Sequence, residues 1–232
     1  MIKEELLYPG GPCLFYDTAL FPPGTDSFAL GWFARAKSGE AVCDLGSGSG
    51  LLGTLLLART PYLRHTNVEL SPEASALAEK AFARNGWSGR VRFSVGDLRD
   101  AANLPPAGSV DLCVANPPYF KAGSGESSPL SSRRTAREEG SCTLADICTA
   151  AGRILRWGGR FSLVYRPERL PDLLCTLREH GLEAKRIRLL QSRPDAAPSL
   201  VLLEARRGGK PGLTWEAPFL IGSPEWEKVY FR

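Results

Sequence analysis

Asn116-Pro117-Pro118-Tyr119-Phe120 carries the most specific chemistry in this chain. Two prolines lock the backbone into a rigid turn. The Asn116 side-chain oxygen and the Pro117 carbonyl are two acceptors held in place before any substrate arrives. An amino group conjugated to a ring, or a planar amide, offers two N–H donors and a delocalised lone pair. Two fixed acceptors take both protons, orient the nitrogen and favour its rehybridisation as a new bond forms. Tyr119, with Phe120 beside it, supplies an aromatic face on which a planar substrate can stack. A plain proline turn closing a strand is the competing reading. Position argues against it, because the segment follows the apolar run Val110–Ala115, and open parallel sheets bind ligands beyond the carboxyl ends of their strands.

Asp44-Leu45-Gly46-Ser47-Gly48-Ser49-Gly50 is the second chemical segment. It follows one apolar run and opens another of helical character. Glycines let a backbone turn sharply and approach a ligand, while a helix N-terminus presents free amides and a positive dipole end. Gly48 to Gly53 also match the dinucleotide pattern G-x-G-x-x-G, so the loop alone leaves the cofactor open. Two acids narrow the choice. Glu69 ends the next strand-like piece, where a carboxylate can accept both hydroxyls of an adenosine ribose. Asp97, within Val95-Gly96-Asp97-Leu98, ends the one after and can accept from an adenine amino group. Either alone reads as a solvated loop acid; together, at consecutive strand ends, they point to an adenosine-bearing cofactor.

With these motifs the chain resembles the class I methyltransferases, whose glycine motif starts with an acid and whose second strand ends in one. The resemblance implies a Rossmann-like α/β fold: a mostly parallel, seven-stranded sheet with helices on both faces and an antiparallel C-terminal hairpin. It also implies S-adenosyl-L-methionine as cofactor, held by Asp44, Gly46, Ser47, Gly48, Glu69, Leu70, Asp97 and Leu98. Asn116 would lie beside the cofactor, and Asp26, with Thr25 and Ser27, would approach its methionine end. The Asn-Pro-Pro-Tyr motif is similar to that of enzymes methylating adenine in DNA or RNA, or glutamine amides in release factors. Further stretches resemble the bacterial tRNA adenine-N6 methyltransferases of the anticodon loop. These are Ala136-Arg137-Glu138-Glu139, Arg166-Pro167-Glu168-Arg169-Leu170 and Gly208-Gly209-Lys210-Pro211-Gly212-Leu213. Glu138 stands where members of that group tend to carry histidine. The activity implied is methylation of an exocyclic amino nitrogen, adenine N6 in tRNA, with Asn116, Pro117, Pro118 and Tyr119 as the catalytic set. The alternatives are a glutamine-amide methyltransferase and a catalytically silent cofactor-binding protein.

Such a site needs strands that end together. Ala41–Leu45, Asn67–Leu70, Val91–Val95, Val110–Ala115 and Arg160–Tyr165 read as buried parallel strands. Leu51–Arg59, Pro72–Asn85, Leu144–Trp157 and Glu168–His180 read as helices, the last two stopped by Gly158-Gly159 and Gly181. Thr25-Asp26-Ser27 reads as a helix cap. Arg186–Leu190 and Leu200–Ala205 have no helix between them, which fits an antiparallel hairpin. The Pro- and Gly-rich start reads as an irregular arm or lid, residues 1–24, ahead of a methyltransferase domain, residues 25–232.

Composition sets the outer limits. At 232 residues, 43% hydrophobic and 23% charged, the chain suits a globular protein rather than a disordered one. A net charge of +4 permits a polyanionic partner without requiring it. Arg133, Arg134 and Arg137, in a polar Gly/Ser-rich stretch, and Lys210, near Arg206 and Arg207, are candidate contacts to RNA; solvated loops are the competing reading. Six cysteines form no C-x-x-C pair and only two histidines occur, so neither disulfides nor a metal is expected. No leader or membrane span is visible, and a cytoplasmic location is expected.

Overall fold

The computed structural model describes residues 1–18, 22–117 and 142–230. The chain opens with an antiparallel hairpin, β1 (Ile2–Leu6) and β2 (Cys13–Asp17). The remaining elements are α1 (Thr25–Phe33), β3 (Ala41–Leu45), α2 (Leu51–Arg59), β4 (Arg64–Glu69), α3 (Pro72–Arg84), β5 (Val91–Val95), β6 (Val110–Ala115), α4 (Leu144–Ile154), β7 (Leu155–Tyr165), α5 (Leu170–Glu179), β8 (Leu182–Gln191), β9 (Leu200–Arg207), β10 (Thr214–Trp215), β11 (Phe219–Leu220) and α6 (Pro224–Val229).

The main sheet runs β10-β8-β9-β7-β6-β3-β4-β5, with β11 also beside β8. Among the described strands of this sheet, only β9 is antiparallel to its neighbours, β7 and β8. The seven expected strands are β3 to β9; β10 and β11, two residues each, add parallel pairs along β8. Val42-Cys43 and Leu112–Ala115 are buried on both faces, as central parallel strands must be. One face packs Phe28 and Leu30 of α1, Leu55 and Leu56 of α2 and Phe82 of α3. The other packs Ile147 and Ile154 of α4 with Leu173 and Leu177 of α5.

Three local readings differ from the structure. The N-terminal arm is a hairpin, closed around Pro9-Gly10-Gly11-Pro12 and docked on α3. The Asn85 amide brackets Cys13, accepting from its N–H and donating to its carbonyl, both at 2.8 Å. The helix expected over Leu144–Trp157 stops at Ile154, and Leu155 already pairs with Val110 in β7. Gly158-Gly159 therefore does not stop a helix but makes a bulge in a strand. A Cβ at Gly159 would lie 2.8 Å from the Arg156 carbonyl, closer than a side chain tolerates. Thr25-Asp26-Ser27 is the first turn of α1 itself, with Gly24 as an N-cap lacking a side-chain bond.

On the α1 face of the sheet, ion pairs run from strand to strand. Arg160 meets Glu40 at 2.6 Å and Glu204 at 3.8 Å; Arg186 meets Glu204 at 3.0 Å and Glu216 at 2.8 Å. Glu204 is 7% exposed and bridges two guanidinium groups. Without Glu204, Arg160 keeps Glu40 and Arg186 keeps Glu216. Glu204→Ala is therefore expected to lower stability by about 2 kcal/mol, the scale of a lost charge-assisted hydrogen bond, rather than the larger cost of a stranded charge. Urea unfolding of the two proteins measures this, and a loss under about 1 kcal/mol would show that the charges reach water.

Candidate functional site

The carboxyl ends of β3, β4, β5 and β6 open onto one edge of the sheet. Pairings of Leu45 with Val68, Glu69 with Val95 and Asp44 with Val114 keep these ends level. Gly46–Gly50, Glu69-Leu70, Gly96–Leu98 and Asn116-Pro117 are thereby brought together. Open α/β sheets bind their ligands in the crevice beyond the carboxyl ends of the strands.

The glycine loop is built by backbone bonds. The N–H groups of Gly46 and Ser47 donate to the Val68 carbonyl at 2.9 and 3.2 Å. Gly50 has φ +81°, and a Cβ there would also lie 2.9 Å from that of Ala78, so both conformation and packing against α3 demand glycine. At Gly53 a Cβ would sit 2.5 Å from His65 Nε2 and 2.9 Å from the Phe82 ring. Gly53 thus lets α2 lie close on the sheet. Gly53→Ala should destabilise by about 1–3 kcal/mol through overpacking. Thermal unfolding checks this; an unchanged melting temperature would mean that His65 moves aside freely.

Asp44 is fully buried, and neither carboxylate oxygen has a hydrogen-bond partner among the described residues. Desolvation, and then the nearby Glu69 charge, push its pKa up to about 8. The buried Ser47 hydroxyl and the Asn67 amide nitrogen are likewise without partners among the described residues. Asn67 is paired with Asp44 across β3 and β4, and its oxygen lies 3.2 Å from His65 Nε2. Burial lowers the His65 pKa to about 4, leaving the imidazole neutral. A cationic group with N–H donors would satisfy Asp44, and the Gly46 Cβ position faces open space. The residues therefore fit a cofactor that carries a positively charged amino-acid end.

Glu69 is held from both sides. Its Oε2 accepts from Gly48 N at 2.7 Å and its Oε1 from Ser71 N at 2.8 Å. Each oxygen keeps a second lone pair for an incoming hydroxyl. Leu70 follows, 67% exposed at the strand end. Asp97 lies at the expected place, but its oxygens turn to Arg99, which donates from Nη2 at 2.6 Å, from Nε at 2.9 and 3.0 Å and from its backbone N–H at 2.8 Å. These bonds hold the Asp97 carboxyl below its usual pKa. Leu98 packs, partly buried, on the α4 side.

Asn116 is half-buried and Pro117 buried at the end of β6. Asn116 Nδ2 donates to the Ser27 hydroxyl at 2.9 Å. Asp26, next to it, accepts from Ser27 N at 2.8 Å. The first turn of α1 therefore abuts the motif, a contact that nothing in the spacing of two residues 89 positions apart announces. Pro118, Tyr119, Phe120, Arg133, Arg134 and Arg137 lie outside the described residues. Lys210 is not brought to this edge. It follows β9, and its carbonyl accepts from Lys185 Nζ at 3.0 Å, near the start of β8 and so at the opposite end of the sheet. Among the described residues, no group of three or more His, Cys, Asp or Glu is placed to hold a metal. No helix among them is long and apolar enough to cross a membrane.

A mostly parallel sheet in this order, an acid-led glycine loop after β3, an acid closing β4 and Asn-Pro after β6 define a Rossmann-like methyltransferase. The chain belongs to the Methyltransferase small domain family, whose model matches residues 28–171, and it is an S-adenosylmethionine-dependent methyltransferase. It is 32% identical over 194 residues to the tRNA1(Val) (adenine(37)-N6)-methyltransferase of Aeromonas hydrophila, covering 83% of this chain and 80% of that one. The enzyme of the same name from Tolumonas auensis is 30% identical over 201 residues, covering 86% and 81%. A predicted O-methyltransferase from Agrobacterium tumefaciens, 20% identical, shares the fold with a TM-score of 0.73 over 89% of this chain and 96% of that one.

Proposed function

We propose that the protein methylates the exocyclic N6 of an adenine in tRNA. The observation that carries this is Asn116-Pro117 at the same sheet edge as Asp44 and Glu69, in a chain whose relatives are named for that reaction. Asn116 Oδ1 and the Pro117 carbonyl accept the two N–H groups of the target nitrogen and aim its lone pair. Pro118 stiffens the turn, and Tyr119 and Phe120 stack on the base. Asp44 faces the cationic end of the cofactor, Glu69 its ribose, Leu70 and Leu98 its adenine, and Gly46, Ser47 and Gly48 line its path. Asp26 borders the methionine end. Asp97 reaches the adenine amino group on release from Arg99. S-adenosylmethionine supplies an electrophilic methyl on a sulfonium, so in-line positioning rather than a strong base is what the residues must provide. The proton leaves after transfer, when the nitrogen has become acidic.

Arg133, Arg134 and Arg137 contact the RNA backbone under this reading, whereas Lys210, at the far end of the sheet, does not share that contact. The N-terminal hairpin, within residues 1–24, is an appendage to a methyl-transfer domain of residues 25–232, and the tRNA substrate implies a cytoplasmic enzyme. Incubation with labelled S-adenosylmethionine and unmodified bulk tRNA, followed by nucleoside analysis, should yield N6-methyladenosine. Absence of label in tRNA, with cofactor binding intact, would overturn the substrate assignment.

A further inference from the structure

We propose that Ser27 is a positioning residue that anchors the nitrogen end of the Asn116 amide and so steadies its oxygen toward the substrate. This rests on the reading of Asn116 as an acceptor for the target amine. The two ends of a carboxamide are nearly equal in size and opposite in polarity. With its nitrogen toward the substrate, Asn116 would set N–H against N–H and repel the amine. With its oxygen there, it accepts. Sterics do not choose between these states; a partner that accepts from the nitrogen end steadies the productive one, and the donating amine itself disfavours the other.

The Ser27 hydroxyl accepts from Asn116 Nδ2 at 2.9 Å, which assigns the nitrogen to α1 and turns the oxygen away from it. Ser27 is itself well anchored. Its N–H donates to Asp26 Oδ1 at 2.8 Å. The next residues, Phe28, Ala29 and Leu30, are buried at 8%, 0% and 0% exposure, so the hydroxyl cannot drift with a loop. Ser27 is not the N-cap of α1, a place that Gly24 takes. A serine that reads as a local cap in sequence serves a residue 89 positions away.

The test uses the full chain, S-adenosylmethionine and unmodified tRNA, with Ser27→Ala, Ser27→Thr, Asn116→Ala and the double variant Ser27→Ala/Asn116→Ala. Loss of one orienting hydrogen bond should lower kcat about tenfold in Ser27→Ala. The Kd for S-adenosylmethionine and the KM for tRNA should stay within about threefold. Ser27→Thr keeps the hydroxyl and should restore kcat. The double variant should be no slower than Asn116→Ala, because the serine acts only through the amide. A wild-type kcat in Ser27→Ala, or losses that multiply in the double variant, overturns the proposal while leaving the Asn116 reading intact. A wild-type kcat in Asn116→Ala overturns that reading instead. If Ser27→Ala melts early or fails to bind cofactor, Ser27→Thr decides: a fully folded threonine variant that is as slow as alanine refutes the proposal.

Discussion

Asn116→Ala should lower kcat for tRNA methylation about 10²–10³-fold, the scale seen when one preorganised polar contact to a reacting group is removed. The Kd for S-adenosylmethionine should stay within about threefold, since under the proposed reading the cofactor-facing oxygens belong to Asp44 and Glu69. The reason lies in the target nitrogen. Its lone pair is delocalised into the ring, and accepting both of its N–H bonds at fixed positions is what turns that pair toward the methyl. Alanine leaves one acceptor, the Pro117 carbonyl, and frees the base to rotate about it. Single-turnover rates and equilibrium binding separate the two effects. A variant that loses cofactor affinity but keeps its rate would make Asn116 a cofactor ligand rather than a catalytic residue.

Affinity for S-adenosylmethionine should rise with pH between about 5 and 8. Asp44 is held protonated by burial, with a pKa near 8, and the cationic end of the cofactor stabilises only the ionised form. Binding at pH 7 therefore releases a proton, and each pH unit below 8 weakens binding by up to about tenfold. Titration calorimetry in two buffers of different ionisation enthalpy counts that proton. The same shift acts on folding with a defined sign. A carboxyl whose folded pKa lies above its unfolded value of 3.8 favours the folded state fully below pH 4. That contribution is lost as pH rises through the window from about 4 to 8. Asp44→Asn should remove the slope in urea unfolding across this window and bind cofactor about tenfold or more weakly. Equal pH dependence in wild type and variant would show that Asp44 is ionised throughout.

Much of the architecture was legible because turn residues bracket short apolar runs. Ala41–Leu45, Leu51–Arg59, Val91–Val95 and Val110–Ala115 have the boundaries that pattern predicts. The first seventeen residues were not, since β1 is exposed throughout and the buried run Cys13–Tyr16 of β2 has no second buried strand beside it to mark a hairpin. Ile154-Leu155 misleads for the opposite reason: both residues are buried, and an apolar run continues a helix or starts a strand equally well until Val110 selects the strand. At the site, Asp44 and Glu69 were readable from their place after apolar runs. The grip of Arg99 on Asp97, the hydroxyl of Ser27 on Asn116 and the distance of Lys210 from the site were not. Each depends on a side-chain direction or on the reversal of β9, which local pattern does not encode.

Glu69 spans the glycine loop and the start of α3, tying Gly48 to Ser71 through its two oxygens. The cradle that Glu69 would offer a ribose under the proposed reading is thereby set by the protein's own bonds rather than by the ligand. A ligand meeting a preformed surface gives up little chain entropy on arrival. Cofactors that differ only in their sulfur substituent should therefore associate with this half of the site at similar rates and be distinguished by how fast they leave. An enzyme whose spent cofactor must depart before the next turnover gains from having its selectivity on the exit side.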